Sequence, residues 1–160
     1  MGELNDFSLK HKIFLRTYGW RNIDPTPWAK LRKPLSESRL GLVSSAGFVA
    51  PGQEPFDENI RGGDPSFRVI DSGSDPSSFI EYHKSDAFDH RGILQDPNLA
   101  FPLDRINELA ERGRIGSVAS NHLSCMGSIT APNRLIRRTA PEAAEIFVRD
   151  EVDLALLVPV

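Results

Sequence analysis

Two imidazoles and two carboxylates stand within eight residues in EYHKSDAFDH: His83, Asp86, Asp89 and His90. Groups of these types gathered in one loop can ligate zinc or iron, act as a general base, or simply face water. Asp96 and Asn98 follow just beyond, but the spacing matches no standard metal motif and the helical HExxH is absent. A second set lies in NHLSCMG, where His122 precedes the lone Cys125 by three positions. A Cys–His pair can hold an activated thiolate, although a lone cysteine is more often a small buried hydrophobe. The third set is the turn Ser44-Ser45-Ala46-Gly47, whose small side chains would let backbone N–H groups approach a carboxylate or phosphate. It has neither P-loop nor dinucleotide spacing. The candidate substrate-binding residues are therefore Ser44, Ser45, Gly47, His83, Asp86, Asp89, His90 and His122, and no catalytic nucleophile or metal set is identified.

These residues need elements to position them. RLGLVSSAGF predicts a strand over Leu40–Ser44, apolar enough to be covered on both faces, running into the small-residue turn. The Pro- and Gly-rich stretch that follows reads as loop, and SFRVID (66–71) alternates as a second strand. FIEYH (79–83) suits a short strand, and 84–102 read as polar loop. From Leu103 a helix is signalled by Leu103, Ile106, Leu109 and Ala110 on one face, with Gly113 placed to stop it. IGSVA (115–119) is a weak strand signal. Thr139-Ala-Pro-Glu142 has capping-box spacing and predicts a helix to about Arg149, with Ala143, Ile146 and Phe147 facing inward. LALLVPV then follows within a few residues as a buried strand. Helix, tight turn and strand form half of a βαβ unit, so an α/β domain with a partly parallel sheet, Rossmann- or flavodoxin-like, is expected over 35–160.

Residues 1–34 are expected to be an irregular arm. There Leu15, Tyr18, Trp20, Ile23 and Trp28 alternate with arginines and lysines. Basic–aromatic interleaving can mark a nucleic-acid surface. The whole chain argues against that: its net charge is −3 and its pI is about 5.8. We read the arm as amphipathic chain laid on protein. No apolar run approaches the roughly 18 residues of a membrane helix, and the polar start carries no secretory signal. A single cysteine in 160 residues rules out an internal disulfide and suits a reducing, cytoplasmic setting.

The last segment, EVDLALLVPV, raises a separate question. In open α/β sheets reactive groups lie beyond the carboxyl ends of the strands. The sequence stops at that end of a strand expected to be interior, so it reads as the front part of a longer domain.

Taken together, WRNIDPTPWAKLRKPLSESRLGLVSSAGFVAPGQEPFD, GGDPSFRVI, LAFPLDRINELAERGRIGSVA and MGSI…TAPEAAEIFVRDEVDLALLVPV resemble one family, from about Tyr18 to Val160. They are similar to the selenoprotein B family of glycine/sarcosine/betaine reductase and D-proline reductase, in its shorter bacterial members. The resemblance implies an oxidoreductase that cleaves a C–N bond beside a carbonyl, with a dithiol as the ultimate electron source. It implies a redox selenocysteine, or cysteine, directly after the strand matching LALLVPV, with another cysteine close by. Selenocysteine is encoded by UGA, which is ordinarily a stop, so a reading frame closed there would end at Val160 and lack the redox residue. A selenol before a helix N-terminus would be favoured as the anion. It could attack the substrate α-carbon, and a neighbouring thiol would then reduce the selenoether. The resemblance also places His83, Asp86, Asp89 and His90 in a pocket-lining loop. Cys125 falls where a nonpolar or aromatic residue is expected, which favours its packing role.

The expected partners are a small amino-acid or amine substrate and other reductase subunits or a thiol reductant. Nucleic acid and membrane are not expected, and homo-oligomerisation stays open. Two other readings of the residues remain. One is a non-catalytic module binding a small anion at the Ser44–Gly47 turn and the His/Asp loop. The other is a metal-dependent hydrolase using His83, Asp89, His90 and His122.

Overall fold

A computed structural model describes residues 8–19, 22–83 and 90–160. The chain divides into two compact units, Met1–Lys30 and Leu31–Val160. The first contains a helix, α1 (Leu9–Thr17), where the sequence pattern predicts irregular chain. Ser8 caps it, its hydroxyl accepting from the His11 N–H, and the rings of Phe14 and Tyr18 meet one turn apart at 5.2 Å. A cap and one aromatic pair are local signals, too short to register as periodicity.

The second unit is an α/β fold. Its sheet contains β1 (Arg39–Ser44), β3 (Phe67–Asp71), β5 (Ser117–Val118), β6 (Asn121–Cys125) and β7 (Leu154–Val158). A two-stranded antiparallel ribbon is made by β2 (Phe48–Val49) and β4 (Ile80–Glu81). The central strand β1 runs parallel to β7 along one edge and parallel to β5 and then β6 along the other. Beyond β6, β3 runs antiparallel, pairing Phe67 with Cys125 and Asp71 with Asn121. Among the described residues three α-helices follow the ribbon: α2 (Arg91–Gln95), α3 (Leu103–Glu111) and α4 (Ala140–Arg149). Against β1 pack Leu103 and Ile106 of α3 and a ring cluster of Phe48, Phe79 and Phe101. From α4, Phe147 presses on Gly41 so closely that a Cβ there would meet the ring at 3.0 Å. Glycine at this point of the strand is what admits the helix.

The expected helix at Leu103 and its glycine stop are found, Gly113 taking φ +63°. Four expectations are corrected. Residues 121–125 are a full sheet strand; a His and a Cys among polar residues drew a chemical reading away from a strand whose burial comes from its neighbours. Part of the 84–102 stretch is helical, as α2 and a short 3₁₀ turn Pro97–Leu99 capped by Asp96. Thr139 is not a helix cap: it has helical angles and makes no capping bond, while Glu142 pairs with the Arg138 Nε at 3.0 Å. The helix begins earlier and passes through a wide π turn, Leu135–Thr139. Pro141 has no N–H for the preceding turn and its ring crowds the carbonyl four residues back, and the widened turn absorbs both.

The fourth correction concerns β7. Its apolar run predicts burial on both faces, yet it is paired only with β1 and Ala155, Leu156 and Leu157 are exposed, Leu157 by 67%. Among the described residues no strand pairs with its outer edge. Hydrophobicity specifies that a strand wants cover, whereas the cover itself is decided by what stands next to it.

The sheet has one internal discontinuity. Between Leu40–Val118 and Val43–Leu123 the register on that edge of β1 advances by two residues, so the partner chain bulges between β5 and β6. The Leu42 N–H, which would otherwise be orphaned there, donates to Nδ1 of His122 at 3.1 Å. His122 is fully buried, with its ring edge-on to Phe101. Burial holds its pKa down to about 4, against partial upward pulls from Asp150 and Asp71. Only the neutral ring can accept from Leu42, so the fold requires the unprotonated form. The unfolded chain binds a proton below about pH 6.5 that the folded chain refuses until about pH 4. His122 thus contributes stability that is fully present above that window and lost as pH falls through it, on the order of 3 kcal/mol. Denaturant unfolding followed from pH 7 to pH 4.5 should show the midpoint falling. In His122→Gln, whose amide oxygen can accept but does not titrate, the slope over this window should be shallower. An equal slope in both proteins would refute this role.

Candidate active site at the carboxyl ends of the parallel strands

Strands β1, β6 and β7 all end at the same margin of the sheet, at Ser44, Cys125 and Val158. The turn after β1 is closed there by its own hydrogen bonds. Ser45 N donates to Val158 O at 3.1 Å, Ala46 N to Ser44 Oγ at 3.2 Å, and Gly47 N to Cys125 O at 2.9 Å. The backbone donators expected to face an anion are therefore occupied within the fold, and the turn works as an anchor. What it anchors is the end of β7: Val160 N donates to Ser45 Oγ at 2.9 Å, and that hydroxyl lies 3.4 Å from Val160 O. Gly47 is required, since it takes φ +70° and a Cβ would meet Met126 Sδ at 3.0 Å and His83 N at 3.1 Å.

The ribbon brings two of the four loop candidates to this anchor. Tyr82 N donates to Gly47 O at 3.0 Å, which swings His83 over the turn. His83 is buried, its ring lies against the main chain of Val160, and it fills the space beside Gly127 where any Cβ would collide with Nε2. His90, at the start of α2, lies ring to ring with His83 at 6.2 Å, and its Nδ1 meets Glu81 Oε2 at 2.7 Å. The second carboxylate oxygen of Glu81 is buried and has no hydrogen-bond partner among the described residues. Burial pushes the His83 imidazole below its ordinary value; Glu81 acts upward, His90 downward, and the Val160 main chain upward. The outcome is an imidazole held neutral near pH 7 beside a carboxylate, an arrangement able to accept and return a proton.

Asp86 and Asp89 lie outside the described residues. Ser44 is buried in the sheet with its hydroxyl on Ala46 N. His122 is not part of this cluster: its Nδ1 is held by Leu42. Nor can it activate Cys125, because positions three apart on a strand face opposite sides. The Cys125 thiol instead donates to Ser44 O at 3.3 Å, and burial pushes its pKa up. Asp96 and Asn98 serve the chain locally, Asn98 bracketing Asp104 at the start of α3. No group of three or more His, Cys, Asp or Glu among the described residues is placed to hold a metal ion. Glu81 and Gly127 escaped sequence reasoning. A lone Glu in a two-residue strand carries no pattern, and Gly127 matters only because a histidine from 44 positions earlier leans on it.

Residues 8–159 match the family described as glycine/sarcosine/betaine reductase selenoprotein B. The chain belongs to this family. Within its curated relatives, it is 30% identical over 136 residues to D-proline reductase subunit gamma of Acetoanaerobium sticklandii, covering 84% of this chain and 54% of the relative. It is 28% identical over 126 residues to sarcosine reductase complex component B subunit beta of Peptoclostridium acidaminophilum, covering 77% of this chain and 28% of the relative. The chain thus spans about half the length of the first relative and about a quarter of the second. No solved structure matches it at a comparable level of significance. No helix among its described residues is long and apolar enough to cross a membrane.

The surroundings of Cys125 make a direct prediction. Its thiol should react with a disulfide reagent at pH 8 at least about tenfold more slowly than in the urea-unfolded chain, because the thiolate is disfavoured by burial. Reaction at the unfolded rate would show that the thiol is not held as described.

Proposed function

We propose that this chain builds one wall of the active site of an oxidoreductase that cleaves a C–N bond in a small amino acid or amine, working with further reductase polypeptide. Membership of the family and the names of two relatives, a D-proline reductase subunit and a sarcosine reductase component, support the reaction class. The observation that carries the site is the convergence of Ser45 and His83 on the main chain of Val160.

A residue joined to Val160 would place its Cα about 3.8 Å further on, at the carboxyl margin where open α/β sheets keep their chemistry. We propose that this residue is a selenocysteine, or a cysteine in its place. The residues present fit such a group. His83 is a neutral base beside it, Glu81 can steady the imidazolium that forms, and Ser45 fixes the approach of the chain. A selenol with a second thiol and an external dithiol supplies two electrons, which with two protons replace the C–N bond by C–H and N–H. His83 would hold the proton taken from the selenol and return it to the departing nitrogen. The unpartnered Glu81 Oε1 is an acceptor that a substrate N–H would complete.

Two measurements test this. The coding DNA should read TGA after the Val160 codon and continue in frame to a nearby cysteine codon; TAA, TAG or no continuing frame defeats the proposal for the redox residue. In the full-length protein with dithiol, D-proline and N-methylglycine serve as trial substrates. His83→Ala should lower kcat by about 100-fold, with Gly127→Ala, which displaces the ring, close behind. Unchanged turnover in both would remove His83 from the chemistry.

A further inference from the structure

At the same end of the sheet but on its β3 side, a cleft of about 400 Å³ opens between the loop entering β3 and the helix that leads into α4. Two strand spacings, about 10 Å, separate β3 from β1, so this cleft is distinct from the Ser45–His83 site. Apolar contact comes from Ile60, Pro65 and Phe67, and charge from Arg134 and Arg138 on one side and Asp64 and Glu142 on the other. The carboxylate of Asp64 is already occupied, accepting from Asp57 N at 2.8 Å and Ser66 N at 2.9 Å. Glu142 is occupied by Arg138 Nε at 3.0 Å. Among the described residues, the two terminal nitrogens of Arg138 and the whole Arg134 guanidinium make no hydrogen bond or ion pair. These two forks stand four residues apart across the π turn Leu135–Thr139, a helical irregularity frequent at functional sites.

We propose that this cleft binds a small oxyanion, a carboxylate in the first instance, through the Arg134 fork with support from Arg138. The planar guanidinium offers paired N–H donors matching the two oxygens of a carboxylate. Two acids beside two arginines leave the cleft without surplus positive charge, which disfavours a phosphate dianion against a carboxylate monoanion. The same acids tolerate an ammonium group, so a zwitterionic amino acid fits the charge pattern. This inference does not rest on the reductase reading, and the test below involves neither Val160 nor His83.

The 160-residue chain is titrated by NMR with acetate, D-proline and inorganic phosphate in separate arms. Acetate or D-proline should shift the amides of Phe67 and Thr139 saturably. Arg134→Gln should weaken that binding at least about tenfold, and Arg134→Lys should restore only part of it, since lysine offers no fork. Arg105→Gln, an exposed arginine on α3, should leave binding unchanged and controls for general loss of charge. The absence of saturable shifts, or equal weakening by Arg105→Gln, overturns the site. Tighter binding of phosphate than of both carboxylates overturns the choice of ligand.

Discussion

The arrangement depends on β1 being a strand with partners on both edges even though one edge is broken. A parallel strand covered on both faces cannot leave a backbone N–H unmatched without losing the free energy of a hydrogen bond and more. At Leu42 the ladder is interrupted by the bulge between β5 and β6, and a side chain replaces the missing carbonyl. A histidine can do this because its neutral ring is an acceptor with an apolar face, which rests edge-on to Phe101. The break lets β6 shift register and end level with β1, so that the ends of β1, β6 and β7 meet at one margin.

The other end of the sheet is held by charge. Asp153 accepts from Arg39 N at 2.8 Å and pairs with Lys33 at 2.7 Å, and its carboxyl is held below the usual range by the Arg39 backbone bond and then by Lys33. Asp150, just after α4, accepts from Asn121 N at 2.8 Å while its carbonyl receives an Arg39 Nη1 hydrogen bond at 2.9 Å. Acids between α4 and β7 thus set where β1 and β6 begin, and the strand ends at the opposite margin follow from that. Solvent-facing pairs of this kind contribute little energy singly. Their use here is to fix register, which in turn decides whether Ser45 reaches Val160.

The candidate site combines two kinds of support. The Ser44–Gly47 turn is rigid because its N–H groups are all used internally, whereas the imidazole above it is positioned by a two-stranded ribbon and by the absence of a side chain at Gly127. A rigid anchor below and a buried base above suit a group whose proton must be moved while its position is fixed. The apolar outer side of β7 adds a second theme. Leu156 and Leu157, with Val148 on α4, present surface that parallel sheets normally cover.

What the sequence determined by itself is what local physics controls. The continuous apolar run of RLGLVS, the alternation of FRVID, the one-faced apolar spacing after Leu103 and the glycine that ends it each specify their element, because neighbours in the chain carry the signal. The class of fold and the family could be read for the same reason, from ordered segments spread along the chain. The tertiary structure alone decided which candidates meet. His83 and His90 are brought together with Glu81 by a ribbon pairing across more than 30 residues, while His122, three residues from a cysteine, is turned to the other face of its strand. It also decided that β7 has no strand on its outer edge among the described residues, since side-chain hydrophobicity records a need for cover and only the order of strands records what stands beside it.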